Sequence, residues 1–391
     1  MTSVNEPGSA AAPPPSGAAG RWRRRGRRAL GAVAGLALGV LGCRTLWFSG
    51  PYRDRQPAPP QGIVDLHAHV AGTGAGGSGC FVNAAMRDSM KFGLYLQAFG
   101  VTRAELEAKG DGRITDLLSE RVAASGRIRA AVVLALDGVV DAEGRLDRVA
   151  TQVYVPNEYV AEEVARHTNL LFGASINPGR RDALERLDWA ADHGAVLVKW
   201  IPPIMGIDPA DPRHTAFYQR LAERGLPLLS HTGQERSFTS SRDELGDPER
   251  LRLPLRLGVT VIAGHVGAAG QNSGEENFER LVRMMAEFPN LHADISALTQ
   301  LNRPGSLEQA LKRPGLAGRL VYGSDYPLIN TALVSPWYFP LNLERGEMAR
   351  LAALENPWQR DVELKAALGV PTAIFEQGAA LVERRPRNRR N

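Results

Sequence analysis

Ile63-Val64-Asp65-Leu66-His67-Ala68-His69-Val70 is an apolar run with two histidines spaced i, i+2 at its end. Alternate residues of a strand share a face and lie about 7 Å apart, so His67 and His69 can converge on one metal ion. The pair alone is not specific, and what gives it meaning is the pattern of runs that follows. Seven further stretches have strand length and nearly continuous Val, Ile, Leu and Ala content: Ile128–Leu136, Leu170–Ile176, Ala195–Ile201, Pro227–His231, Thr260–His265, Leu291–Ala297 and Arg319–Asp325. Such runs mark strands buried on both faces, as in parallel sheets. Between them lie helical patterns at Asp182–His193, Pro212–Arg224, Asn277–Phe288 and Leu307–Lys312. Eight strands alternating with helices predict an α/β chain folded as a (β/α)8 (TIM) barrel over residues 61–382.

Barrel enzymes assemble their sites at the C-terminal ends of the strands. Besides His67 and His69, four polar residues close apolar runs just before a turn: Lys199 on the fourth strand, His231 on the fifth, His265 on the sixth and Asp325 on the eighth. Unrelated core histidines have no reason to gather at one end of a barrel. Three imidazoles and a carboxylate (His67, His69, His231, Asp325) suit zinc, manganese, iron or nickel. His167, His193, His214 and His292 fall on helix ends or loops and read as surface residues.

Val64-Asp65-Leu66-His67-Ala68-His69, Pro227 to Gly233, Val261 to Gly267 and Tyr322-Gly323-Ser324-Asp325-Tyr326-Pro327 together resemble the amidohydrolase superfamily, in its amidohydrolase-related (type 2) branch. The resemblance implies a divalent metal, zinc first and one ion rather than two, held by His67, His69, His231 and Asp325. Asp325 would also handle a proton, and His265 would polarise the substrate or help hold the attacking water. Lys199 would be either a carbamylated bridge between two metals or an unmodified amine paired with a carboxylate or the substrate. The implied reaction is attack of metal-activated water on an ester, lactone or amide-type bond of a small molecule. A second reading, from members resembling aminocarboxymuconate-semialdehyde decarboxylase, is release of CO2 from an unsaturated or aromatic acid without hydrolysis. A third, from a different class, is a non-catalytic binding barrel. Asp65 is expected on the histidine face, one layer deeper, hydrogen-bonding beneath the site. Trp200, Tyr326 and Trp337 are expected to line the pocket, with little positive charge beyond Lys199.

The 391 residues carry a formal net charge of +5. Up to Cys43, six arginines stand against one glutamate, which already accounts for that +5. The last nine residues carry five arginines and one glutamate, so the body between is mildly acidic and gives no support to a nucleic-acid role. Residues 1–20 are low-complexity Ala, Pro, Gly and Ser, expected to be disordered. Residues 21–43 join the basic run Arg21–Arg28 to an apolar run ending Val40-Leu41-Gly42-Cys43, the layout of an export signal. The ending resembles a bacterial lipobox, and Arg27-Arg28 a twin-arginine signal. Fourteen apolar residues span about 21 Å as a helix, short of a bilayer core of about 30 Å. The expectation is an exported chain with the body outside the cytoplasm, lipidated at Cys43 first, anchored by the uncleaved segment second, or simply secreted. Residues 44–60 would be a linker and 383–391 a solvated basic tail.

Two cysteines, Cys43 and Cys80, exclude a disulfide framework, and nothing near Cys80 would activate it. The first crossover, residues 71–127, is too long for a simple loop. Its Gly72-Thr73-Gly74-Ala75-Gly76-Gly77-Ser78-Gly79 run lacks the Lys-Ser/Thr ending of a phosphate loop and is expected to be a mobile lid.

Overall fold

The computed structural model describes residues 58–383. The export, linker and tail expectations therefore fall almost wholly outside the described residues. Eight parallel strands form one sheet in sequence order: β1 (Ile63–His69), β2 (Ile128–Leu134), β3 (Leu170–Ala174), β4 (Leu197–Trp200), β5 (Leu228–His231), β6 (Val261–Gly264), β7 (Leu291–Asp294) and β8 (Leu320–Val321). All eight runs read from the sequence form strands, each trimmed at one or both ends. The barrel closes between its first and last strands. Ala68 bridges Tyr326 in parallel, His69 N–H donates to the Tyr326 carbonyl at 2.7 Å, and Asp325 N–H donates to the His67 carbonyl at 2.8 Å.

A helix follows each strand: α1 (Gly112–Ala124), α2 (Asn157–Ala165), α3 (Ala183–Asp192), α4 (Thr215–Arg224), α5 (Arg252–Arg256), α6 (Asn277–Glu287), α7 (Ser306–Lys312) and α8 (Pro357–Ala367). Their faces follow helical spacing. Ile114, Leu118 and Val122 bury one side of α1, and Phe278, Leu281 and Met285 one side of α6. At α8, Pro357 occupies the first turn and the Asn356 side chain accepts from Gln359 N–H, satisfying an otherwise orphaned donor. Among the described residues no helix is long and apolar enough to cross a membrane.

Two apolar layers result. Most buried side chains lie between strands and helices. A smaller cluster takes one or two residues from each of six strands, Val64, Leu66, Val132, Leu134, Leu197, Leu229, Ile262 and Val321, and includes Val382. Apolar side chains contributed by several strands to one compact cluster mark the layered interior of a barrel. Two positions further along β4 and β5 come Lys199 and His231, which the two-residue period puts on the same inner face, one layer higher.

Candidate active site

The alternation of β1 is broken. Its pairing with β2 shifts register between Asp65 and Ala68. Val64 and Leu66 join the inner cluster, so Asp65 faces the other way, correcting the expectation that it shares the histidine face. Its buried carboxylate accepts His67 N–H at 3.0 Å, Ser324 N–H at 2.9 Å and the Trp358 indole N–H at 2.7 Å. Asp65 thus pins β1 to the segment after β8 and to α8. Past the irregularity, His67 and His69 turn inward together.

His67 Nε2 lies 3.1 Å from His69 Nε2, 2.9 Å from Lys199 Nζ and 3.6 Å from an Asp325 oxygen, which is itself 3.5 Å from His69 Nε2. On its far side, His67 Nδ1 is 2.8 Å from Asp294 Oδ2. That carboxylate fixes the tautomer, because Nδ1 must carry the hydrogen and Nε2 is left with its lone pair facing the cluster. Burial, with Lys199 beside it, holds the His67 imidazole down to about 4, hence neutral and available as a ligand. His231 is buried, its Nδ1 3.4 Å from Glu235 Oε2, and its Nε2 has no partner. His265 packs against both, with ring centroids 5.2 Å from His67 and 5.0 Å from His231. Burial also lowers Lys199 to about 8, leaving an appreciable neutral fraction.

A divalent ion fits these residues. His67 Nε2, His69 Nε2 and an Asp325 oxygen lie within 4.8 Å of one another, a donor set that suits a divalent ion. His231 is not in that tight group, but its buried Nε2 lacks a hydrogen-bond partner. A second group, His67, His265 and Asp294, also lies close together. There the Ser296 hydroxyl already sits among the three, donating to Asp294 and lying 2.8 Å from His265 Nδ1 and 3.2 Å from His67 Nδ1. This group is a hydrogen-bonded support rather than an ion cage. Asp325 and His265 both have left-handed backbone, φ 62° and 60°, an uncommon conformation for side-chain-bearing residues that functional sites retain. Burial alone would raise the Asp325 carboxyl, but His265, His69 and His67 outweigh it and hold it well below the usual carboxylate range.

Several expectations require correction. Trp200 points outward, stacking on Phe217 and packing on Tyr218 of α4, its indole N–H on the Ile176 carbonyl. Tyr326 is buried against Trp358 with its hydroxyl on Arg121, and Trp337 is half exposed. The glycine-rich loop is tied down, not a free lid: Thr73 N–H, Gly74 N–H and the Ser78 hydroxyl all donate to the buried Asp111 carboxylate. His167 and His193 stand apart from the cluster, as do His292, which lies within β7 rather than on a helix end or loop, and His214, which is buried beside Tyr218 rather than on the surface. Lys199 is not the only positive charge. The Arg303 guanidinium, in the loop after β7, lies within electrostatic reach of Asp325, Glu235 and Asp294. The sequence reading also missed Asp294, although it closes an apolar run, Leu291-His292-Ala293-Asp294, in the way the other donors do. Arg303 and Glu235 sit in irregular loops with no period to betray them.

The family model for amidohydrolases (Amidohydro_2) matches residues 64–362. The chain therefore belongs to the amidohydrolase family, whose members are metal-dependent hydrolases or decarboxylases. Comparison with curated proteins finds no match. Among solved structures, an uncharacterized TIM-barrel protein from Bordetella bronchiseptica aligns at 19% identity and TM-score 0.48, over 78% of this chain and 99% of that one. A putative 2-pyrone-4,6-dicarboxylic acid hydrolase from Pseudomonas putida aligns at 17% identity and TM-score 0.46, over 82% and 97%. A 5-carboxyvanillate decarboxylase from Sphingomonas paucimobilis aligns at 14% identity and TM-score 0.42, over 80% and 98%.

Proposed function

We propose that this chain is a metal-dependent hydrolase cleaving an ester, lactone or amide-type bond of a small molecule, with one divalent ion held by His67, His69, His231 and Asp325. The observation that carries the reading is the cluster of His67, His69 and Asp325 donor atoms within 4.8 Å of one another; the buried, unpartnered Nε2 of His231, whose ring packs on His265, makes it the fourth candidate. A divalent ion there supplies Lewis acidity and lowers the pKa of water from 15.7 towards about 7. Asp325, held ionised, accepts the proton of the attacking water and returns it to the leaving group. His265, held by Ser296 and by Asp294 on its backbone N–H, is the residue that would help hold the attacking water. The Lys199 amine lies against His67 and offers a donor to the substrate oxygen.

The test is metal per chain by mass spectrometry on wild type and His67→Ala, followed by parallel assays of bond cleavage and CO2 release on ester, lactone and acid panels. One ion, lost in the variant, with cleavage activity supports the proposal. CO2 release without cleavage transfers it to decarboxylation. Two ions would make Lys199 a carbamate bridge, and no metal after reconstitution would defeat it. The basic-then-apolar N-terminus supports a companion proposal, that the barrel works outside the cytoplasm on a membrane tether. Recovery of the chain in the cytosolic fraction would overturn that.

A further inference from the structure

Helix α8 turns a polar stripe towards the seam of the barrel. Trp358, Asp361 and Lys365 follow helical spacing at i, i+3 and i+7, and all three are buried. The Trp358 indole N–H reaches Asp65 beneath the donors. Lys365 Nζ lies 2.7 Å from Asp361 Oδ2, to which the Tyr322 hydroxyl also donates at 2.8 Å. Lys365 Nζ donates in addition to the Gly323 carbonyl at 3.2 Å and stands 4.9 Å from the centroid of the Tyr322 ring. Asp361 Oδ1 is sealed from solvent with no hydrogen-bond partner. Neither Lys365 nor Asp361 takes part in the chemistry proposed for the site.

A buried ammonium and carboxylate are a poor source of stability, since well-packed apolar side chains in their place are often neutral or better. The stranded Asp361 oxygen adds to the cost. What the pair does reach is a segment with few other holds. Ladder pairing of β8 with β7 ends at Val321, and Asp325, two residues beyond Gly323, has left-handed backbone. That conformation is uncommon for a residue with a side chain and persists only where the surroundings over-determine it. Three bonds do so here: Asp65 accepts Ser324 N–H, the His67 carbonyl accepts Asp325 N–H, and Lys365 holds the Gly323 carbonyl. Resting on the reading of Asp325 as a metal donor, we propose that Lys365 is a positioning residue. By holding the Gly323 carbonyl it fixes the turn that presents the Asp325 carboxylate to His67 and His69. Asp361 balances the buried ammonium, and the Tyr322 hydroxyl orients Asp361. The outer layer of the barrel thus sets the inner site through one face of α8.

The test uses the purified full chain with zinc as the probe. Lys365→Met alone strands the Asp361 carboxylate in the core and risks failing to fold. The informative variant combines Tyr322→Phe, Asp361→Leu and Lys365→Met, which removes the whole polar group together. It should melt within a few degrees of wild type, while zinc affinity, read by chelator competition, falls about tenfold or more. In hydrogen exchange the Ser324, Asp325 and Tyr326 amides should lose protection while those of β4, β5 and β6 keep it. In an Asp325→Asn background the same three substitutions should change zinc affinity less than about twofold, because their effect runs through Asp325. Wild-type zinc affinity in the triple variant, or an equal loss in both backgrounds, overturns the proposal. So does a loss of affinity matched by a lower melting point and protection lost throughout the barrel, the mark of a merely structural role. Exchange is also read on metal-free chains. Selective loss of protection at residues 324–326, with no zinc bound by wild type, would sink the metal-donor reading and leave standing the hold of Lys365 on the Asp325 turn.

Discussion

His67 Nδ1 and Asp294 Oδ2 lie 2.8 Å apart with both side chains wholly buried, and this contact decides which nitrogen of His67 faces the cluster. Asp294 Oδ1 meanwhile accepts the backbone N–H groups of His265 at 2.8 Å and of Ser296 at 3.1 Å. One carboxylate therefore sets the ring of a metal donor and the backbone of His265. Asp294→Asn keeps the shape but weakens the hold on the imidazole. Metal affinity should fall about 10- to 100-fold, as when an outer hydrogen-bond partner of a metal-bound histidine is lost. Competition with a chromophoric chelator measures it, and unchanged affinity would refute the support role.

Asp325→Ala removes the residue proposed as both metal donor and proton acceptor. Turnover should drop by at least about 10²- to 10⁴-fold, the range for loss of a positioned acid or base. Metal content measured on the same sample separates the two roles. Near-wild-type turnover would remove Asp325 from the mechanism.

Gly323 stands where a Cβ would meet His67 Cβ at 2.9 Å, Ser296 Cβ at 3.3 Å and Asp294 Cβ at 3.5 Å. None of these is the loose end of a long side chain. Gly323→Ala should therefore cost roughly 1–3 kcal/mol by overpacking and weaken metal binding together with stability. Denaturant unfolding with and without metal reads both. A variant as stable as wild type would mean that the seam yields more easily than its contacts imply.

Trp358→Phe leaves Asp65 Oδ2 buried without its indole donor. The expected cost is about 1–3 kcal/mol for a stranded polar group. It should appear as a lower unfolding midpoint with no change in metal stoichiometry.

Cys80 is buried, and burial pushes its thiol up to about 12. In native Cys43→Ser protein, maleimide labelling of Cys80 at pH 8 should be far slower than for a free thiol and become fast on denaturation. Rapid native labelling would show that the loop carrying it opens readily.

Much of this architecture was legible because burial on both faces writes nearly unbroken apolar runs, and all eight were strands. The ends were less legible. The eighth run, read as Arg319–Asp325, keeps ladder pairing only at Leu320–Val321 with β7, because Asp325 turns left-handed and the following residues bond to β1 instead. The phase of Asp65 was misread because strict alternation was assumed where the register shifts. Trp200 could have been placed correctly, since a neighbour of the inward Lys199 must face out. His67, His69, Lys199, His265 and Asp325 all stood out as polar residues closing apolar runs. Asp294 carries the same mark, a carboxylate closing the apolar run Leu291-His292-Ala293. Arg303 had no periodic context to mark it.

The seam between β1 and the segment after β8 has a temporal consequence. His67 and His69 leave the ribosome more than 250 residues before Asp325, and Trp358, which caps Asp65 beneath them, follows later still. Until that last stretch emerges, β1 lacks one neighbour and the donor set lacks its carboxylate. Synthesis from the N-terminus thus leaves the proposed metal donors incomplete until nearly all of the barrel has been made.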